Sequence, residues 1–243
     1  MQPGRAFVDL HCHTSASFDS LASPAAVVRA AAARGLTHLA ITDHDRIEGA
    51  LEARERAAES AGDAAGLTVI VGQEIRTTSG DLIGVFLREA IPPGLPAAEA
   101  GAAVRAQGGL VGMAHPFDRF RGSVGRGELD ATEAIAATVD WIEAWNARLM
   151  FGDGNARAAA LAATAGKPGV AVSDSHTTLE LGVAATILHG DPSTPDGLLA
   201  ALAGPLELVT GRGSAYARLF GPAAKLVQRA RGRGRVKMTV ATR

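Results

Sequence analysis

The chain has 243 residues, 47% of them hydrophobic and 20% charged, with 24 basic and 25 acidic groups and a formal net charge of −1. Aliphatic residues throughout and so small a net charge exclude a largely disordered chain. Arg, Asp or Glu interrupts every Ala-rich stretch, so no window reaches the roughly 18–20 apolar residues of a membrane span. The N-terminal MQPGRAFVDLHCHT lacks the apolar core of a secretion signal, and the single Cys12 has no partner for an internal disulfide. A cytoplasmic location is the expectation.

In chain order, apolar runs at 6–10, 37–42, 68–73, 82–87, 110–114, 139–144 and 169–173 predict strands. Segments rich in Ala, Leu and Arg at 24–34, 46–61, 96–107, 131–138 and 155–165 predict the helices between them. Ser23-Pro24 and Gly35 bracket the first helix as cap, first-turn proline and C-terminal stop. Beyond 174 the pattern predicts a strand at 182–188, a helix at 194–203, a short strand at 206–210 and a last helix at 214–231. The closing RARGRGRVK reads as a frayed, solvated tail, the alternative being weak contact with a phosphate-rich partner. Alternating strands and helices imply an α/β fold with a parallel sheet. The length suits one barrel over residues 1–220, with 221–243 as the end of the last helix and the basic tail.

Residues 225–243 hold seven basic groups and no acidic one, which leaves a formal −8 on the rest. Stable binding of duplex nucleic acid is therefore not expected. The only lysines are Lys167, Lys225 and Lys237, none followed by Ser or Thr, so a P-loop is excluded. G-x-G-x-x-G and G-x-S-x-G are absent too, which removes the cues for a dinucleotide site and a serine nucleophile elbow.

Five of the seven histidines lie just past an apolar run. FVDLHCHT puts His11 and His13 two apart at the end of the first strand, where alternation points both imidazoles one way and Cys12 the other. Alone, this pair fits either a metal ion or a hydrogen-bonded barrel rim. LAITDHD then places Asp43, His44 and Asp45, VIVGQE places Glu74, LVGMAHPF places His115 and VAVSDSH places Asp174 and His176 at further strand ends. In a barrel such ends converge on one face. Carboxylates and imidazoles gathered there without cations would suffer repulsion and desolvation, which divalent ions relieve. Imidazole and carboxylate without thiolate suit Zn²⁺, Mn²⁺ or Fe²⁺. The donors outnumber what one ion uses, so two or three ions with a bridging carboxylate are expected. No lysine precedes Lys167, so the bridge falls to Glu74 or another carboxylate rather than a carbamylated lysine. His38, in mid-strand, and His189 are expected in packing or surface roles.

Four motifs in order, DLHCHT, ITDHD, GQE followed by AHPF, and SDSH, span residues 9–176. In these the sequence resembles the polymerase and histidinol phosphatase (PHP) domain family. The resemblance implies a distorted, TIM-like (β/α)₇ barrel with two or three metal ions at the C-terminal ends of its strands, hydrolysing phosphoesters with a metal-activated water. Carried over by position, His11 and His13 match the first metal pair, Glu74 the bridge and Asp174 the residue closing that site. His115 matches a ligand of a second ion, and His44 and His176 match ligands of a third. Asp19 stands where the family often has a histidine, which implies an oxygen donor and a preference for harder ions such as Mn²⁺. Asp81 stands where a fourth-strand ligand histidine often occurs, the alternative being a turn residue after Gly80.

Asp43 or Asp45 is expected to orient a ligand histidine or accept a proton, with Asp43 as the partner of an imidazole the favoured reading. Arg119 and Arg121, just after His115, and Arg148, after the sixth strand, are candidates to hold a phosphate bidentately, the alternative being ordinary solvation. The expected substrate is a phosphorylated small metabolite or short nucleotide. A nuclease or nucleic-acid-processing subunit is the second expectation, and a non-catalytic metal-stabilised binding module the third.

Overall fold

The computed structural model describes residues 4–59, 66–118, 122–126 and 129–238. Among them are nine strands, β1 (Arg5–Cys12), β2 (His38–Ile41), β3 (Thr68–Thr77), β4 (Gly80–Val85), β5 (Leu110–Met113), β6 (Trp141–Asn146), β7 (Gly169–Val172), β8 (Ala184–His189) and β9 (Glu207–Thr210). They form one sheet in the order β7-β6-β5-β4-β3-β2-β1-β8-β9. The helices are α1 (Pro24–Ala33), α2 (Glu48–Glu59), α3 (Ala97–Ala106), α4 (Leu129–Thr138), α5 (Gly154–Thr164), α6 (Pro195–Leu202) and α7 (Ala215–Ala230). Each predicted element is present with its ends moved by a few residues. The Ser23 hydroxyl accepts from Ala26 N at 3.3 Å to cap α1, and Gly35 beyond it has φ +77°.

The sheet curls into a nearly closed, distorted barrel, and its closing seam is made in two ways. Past the end of β7 the main chain meets β1, with Asp174 N donating to His11 O and His13 N to Ser175 O, both at 2.9 Å. Further down, the Thr186 hydroxyl on β8 accepts from Ala171 N at 2.9 Å and donates to Ala171 O at 3.0 Å, so a side chain satisfies the edge of β7. The buried Asp9 carboxylate spans the same seam, accepting from Ser173 N at 3.1 Å and Gly182 N at 3.3 Å. Burial raises its pKa to about 6 against these hydrogen bonds.

The sheet is mixed, which corrects the all-parallel expectation. β4 runs antiparallel to β3 and β5, and β8 runs antiparallel to β1 and β9. Only Thr78 and Ser79 separate β3 from β4, whereas a parallel crossover needs about a dozen residues or more. Gly80, at φ +128°, completes the reversal. Since β4 starts where its neighbours finish, Asp81 arrives at the same rim as the other carboxylates.

Two apolar layers flank the strands. Leu39, Ile41, Val69 and Val71 pack outward against Val28, Ala31, Ala50 and Ala53 of the helices. Val8, Leu10, Ala40, Ile70, Ile83, Trp141 and Val170 fill the interior, and Leu198, Ala201 and Leu202 of α6 join them to close the end opposite the site. The Trp141 indole lies over Gly112, where a Cβ would come within 2.2 Å of the ring. Register shifts between Asp9 and Cys12 in β1 and between Glu143 and Trp145 in β6 mark bulges. Such a bulge reverses the alternation: Val8 and Leu10 face inward, and beyond it His11 and His13 do so too.

The closing tail is not frayed through residue 238. Arg46 and Arg76 on the body donate to the Gly234 and Val236 carbonyls. Arg233 donates to Ser15 O at 3.3 Å, and the Arg235 guanidinium lies 5.1 Å from the Phe18 ring centre. Carbonyls paired with body guanidinia, and a guanidinium on an aromatic face, draw this segment onto the barrel.

Candidate metal centre

Strand ends carry the site residues to one rim, and Glu74 on β3 lies at its centre. Its Oε1 is 2.9 Å from His115 Nε2, and its Oε2 is 3.3 Å from His11 Nε2, 3.4 Å from His13 Nε2 and 3.1 Å from His44 Nδ1. The ligand atoms fall into three groups, each within 4.8 Å of one another: His11, His13 and Asp174; Glu74, Asp81 and His115; and His13, His44 and His176. Asp19 Oδ2 sits 3.5 Å from His44 Nε2 and 3.4 Å from His176 Nε2, beside the third group. His115 and Asp174 reach their places at φ +23° and +50°, in the sparsely populated left-handed half of backbone space.

The imidazoles are aimed by partners on their far nitrogens. In three of them Nδ1 donates, His11 to Glu143 Oε1 at 2.6 Å, His13 to Ser17 Oγ at 3.1 Å and His115 to Ser123 Oγ at 3.4 Å. With Nδ1 holding the proton, Nε2 keeps its lone pair for the site. Glu143 also accepts from His115 N at 2.8 Å and from Asn146 Nδ2 at 2.9 Å, and that amide reaches Asp174 Oδ2 at 2.9 Å. One buried carboxylate thus ties three of the strands that carry ligands. Sequence reading missed Glu143 and Asn146, although a lone carboxylate inside the apolar run WIEAW is a usable signal.

Asp43 touches no imidazole directly. It accepts from Thr14 N at 2.7 Å, Thr14 Oγ1 at 2.6 Å and Ser17 Oγ at 2.7 Å. It acts on His13 through Ser17, whose oxygen also accepts from His44 N at 3.1 Å. A Cβ at Gly49 would come within 2.2 Å of Asp43 Oδ2, so glycine lets α2 approach this carboxylate. Asp45 pairs with Arg76 at 3.3 Å. Arg148 reaches into the site, its Nη1 2.6 Å from His176 Nδ1, 2.7 Å from His176 Nε2 and 3.8 Å from Asp174 Oδ1, while the Asp174 carbonyl lies 3.0 Å from His176 Nδ1. Arg119 and Arg121 lie outside the described residues. His38 contacts Ser193 at 3.0 Å, and His189 is exposed near Glu207, both away from the rim.

Electrostatics show how far these groups are from self-sufficient. Burial opposes the charge on Glu74 and Asp19, yet neighbouring imidazoles hold both carboxyls well below their ordinary range. Burial likewise opposes protonation of His44, but Glu74 and Asp19 outweigh it and lift the imidazole to about 9. In His11 the same contest ends well above the ordinary value, through Asp174, Glu143 and Glu74. Burial instead drives His13 well below its ordinary value, with the His176 imidazole adding to the effect. Burial, with Glu74 nearby, raises Asp81 to about 6. Asp19 Oδ1 and Asp81 Oδ1 are buried with no hydrogen-bond partner among the described residues. Buried oxygen acceptors left without donors, among imidazoles whose lone pairs converge, fit divalent cations.

The sequence matches the PHP domain over residues 9–176 and the PHP-associated family over 152–203. The chain belongs to the PHP domain family. Membership carries the coarse assignment, a metal-dependent hydrolase of phosphoester bonds. An uncharacterised protein of Methanocaldococcus jannaschii is 34% identical over 149 residues, 57% of this chain and 81% of the relative. Among solved structures, a two-domain protein of Bacteroides vulgatus containing a predicted PHP-like metal-dependent phosphoesterase superposes with a TM-score of 0.67 at 18% identity, over 85% of this chain and 65% of that one. A lesion-specific endonuclease from Pyrococcus furiosus gives a TM-score of 0.61 at 18% identity, over 84% of this chain and 57% of that one. At these identities the two structures share the fold with this PHP protein. Among the described residues no helix is long and apolar enough to cross a membrane.

Proposed function

We propose that the protein hydrolyses a phosphoester of a small phosphorylated metabolite or short nucleotide, using two or three divalent cations, Mn²⁺, Zn²⁺ or Fe²⁺. The observation that carries this reading is Glu74, one carboxylate within 3.4 Å of four imidazoles from three different strand ends and the β1 bulge. His11, His13 and Asp174 would hold one cation, Glu74, Asp81 and His115 another, and His44, His176 and Asp19, with His13 alongside, a third. When bound, such cations supply Lewis acidity and an activated water, so no side-chain nucleophile is required. Glu143 fixes the His11 tautomer, and Ser17 with Asp43 behind it fixes that of His13. Arg148, beside His176 and on the wall of a cleft of about 270 Å³ shared with Asp19 and Lys225, is the described cation best placed to hold a phosphate oxygen. Arg119 and Arg121 remain candidates for the same role from the sequence.

One observation favours the second reading, hydrolysis of nucleic acid. The basic segment does not hang free: Lys225 and Arg235 flank Phe18 beside the site. The discriminating experiment assays phosphomonoesters, nucleotide bisphosphates and short oligonucleotides with Mn²⁺, alongside elemental analysis of the purified protein. Turnover of small esters that is indifferent to added salt supports the first reading. Turnover confined to oligonucleotides and falling steeply with salt supports the second. Hydrolysis surviving removal of all metal would overturn both.

A further inference from the structure

Helix α7 lies beyond both stretches matched to a family, and its buried stripe ends on a polar residue. Ala217, Ala224 and Gln228 are buried, with half-buried Gly221 between the first two, at the spacing of one helical face. An apolar side chain would satisfy that face, whereas a buried amide without partners costs about 1–3 kcal/mol. The Gln228 Oε1 is buried with no hydrogen-bond partner among the described residues, so the amide is held by its nitrogen alone. Its Nε2 lies 2.7 Å from Ser15 O, 3.1 Å from Ser17 O and 2.7 Å from Ser20 O. Two amide hydrogens thus serve three main-chain carbonyls that converge on one point. Without a donor there, the three carbonyl dipoles would repel one another and the loop would open.

The rest of this end of the chain falls on the same loop. Arg233 donates to Ser15 O, and Lys225 and Arg235 lie over the Phe18 ring. The loop carries Ser17, which aims His13, and Asp19, which faces His44 and His176. Phe18 packs on the His44 ring at 4.9 Å between centres. Ser20 in turn donates to the His176 carbonyl at 2.9 Å.

We propose that Gln228 is a positioning residue of the metal centre: by gathering the 15, 17 and 20 carbonyls it holds Asp19 toward His44 and His176, and makes that cation set conditional on the docking of α7. This rests on the reading that Asp19, His44 and His176 hold a cation. Linkage makes the dependence reciprocal, so a cation there strengthens the docking of α7 by the same factor.

The test is Mn²⁺ titration of the full chain, read by electron paramagnetic resonance and elemental analysis, for wild type, Asp19→Ala, Gln228→Leu and Gln228→Lys. Asp19→Ala is expected to weaken one class of Mn²⁺ site and leave the others. Gln228→Leu is expected to weaken the same class about 10- to 100-fold, as loss of an outer partner does. Gln228→Lys, whose ammonium offers three donors to the three carbonyls, is expected to restore it. In wild type, Mn²⁺ is expected to slow amide exchange in residues 14–20 and 215–230 together, and in Asp19→Ala neither. Mn²⁺ binding unchanged by Asp19→Ala would overturn the assignment of the cation set and this inference with it. An Asp19 effect without a Gln228→Leu effect, and with α7 exchange indifferent to Mn²⁺, would overturn the positioning role alone. If Gln228→Leu does not fold, the exchange response of α7 in wild type decides.

Discussion

His11, Glu74 and Asp81 are set in strands and His115 and Asp174 follow strand ends by two residues, whereas Asp19 hangs from a loop between β1 and α1 that reaches the rim because α7 holds it. The strand-borne group is sealed, with His11, Glu74, His115 and Asp174 essentially without exposed side-chain surface, while the His44, Asp19 and His176 side chains retain 5–10%. Its supports differ too. Glu143 and Asn146 belong to a strand of the same sheet, and the bulges that admit their side chains are part of the ladder. The loop-borne group depends on hydroxyls, carbonyls and a helix far away in sequence. Donors mounted on a sheet inherit its rigidity, and donors mounted on a loop need a second element to supply it.

The largest expected effect removes what the two groups share. Glu74→Ala is expected to lower phosphoester hydrolysis with Mn²⁺ by at least a thousandfold, and retention of more than a tenth of the rate would break the idea of a common bridge. A smaller effect separates the groups: Glu143→Gln keeps the volume but weakens the acceptor for His11 Nδ1. It is expected to weaken Mn²⁺ binding about 10- to 100-fold in the class that Asp19→Ala leaves intact. Equal loss in all classes would mean the two groups are not independent.

Proton linkage sharpens the contrast further. His44 is raised above its ordinary 6.5 to about 9 in the cation-free protein, so it is protonated at neutrality and must release that proton when a cation binds. Mn²⁺ affinity of the loop-borne group is therefore expected to rise about tenfold per pH unit up to about 9 for each proton released. Calorimetry in buffers of different ionisation enthalpy would count the protons. The sign reverses for the stability of the cation-free fold: a raised imidazole stabilises fully below 6.5, and that contribution is lost as pH rises through 9. Least affected should be Thr186→Val at the seam, which strands one buried N–H and one C=O of Ala171 and is expected to cost about 1–3 kcal/mol. A melting curve lowered by several degrees with unchanged Mn²⁺ stoichiometry is the expected result.

Much of this was legible in the chain because the chemistry is concentrated. Apolar runs ending in His or Asp mark the rim, while the scarcity of lysine leaves a bridge to Glu74 or another carboxylate and only the family resemblance singles out Glu74. What stayed hidden follows from three-dimensional closure. Alternation alone shows His11 on the face opposite Val8 and Leu10; the β1 bulge puts all of them inside, and no residue in FVDLHCHT announces it. The direction of β4 was encoded in the two residues Thr78 and Ser79, but apolar runs without their connections carry no polarity. Asp43 is expected from the sequence beside an imidazole, while in space its oxygens are taken by Thr14 and Ser17, and Ser17 alone relays it to His13. The tail reads as solvated from its composition, and the positions of Arg46, Arg76, Ser15 and Phe18 show what receives it.

Leu198, Ala201 and Leu202 of α6 fill the far end of the barrel, and Val8, Leu10, Ile70, Ile83 and Trp141 fill its axis. Among the described residues that end is closed, and access to the site is from the rim. On the proposed reading an ester would enter, and the alcohol and phosphate leave, through the clefts that α7 forms with the β6–α5 connection on one side and with the β1–α1 loop on the other. If Arg148 and bound cations hold the ester as proposed, free phosphate shares the charge and shape they would recognise and is expected to compete with the next ester. Hydrolysis in a phosphate-rich medium would then slow at low ester concentration and recover as ester is raised.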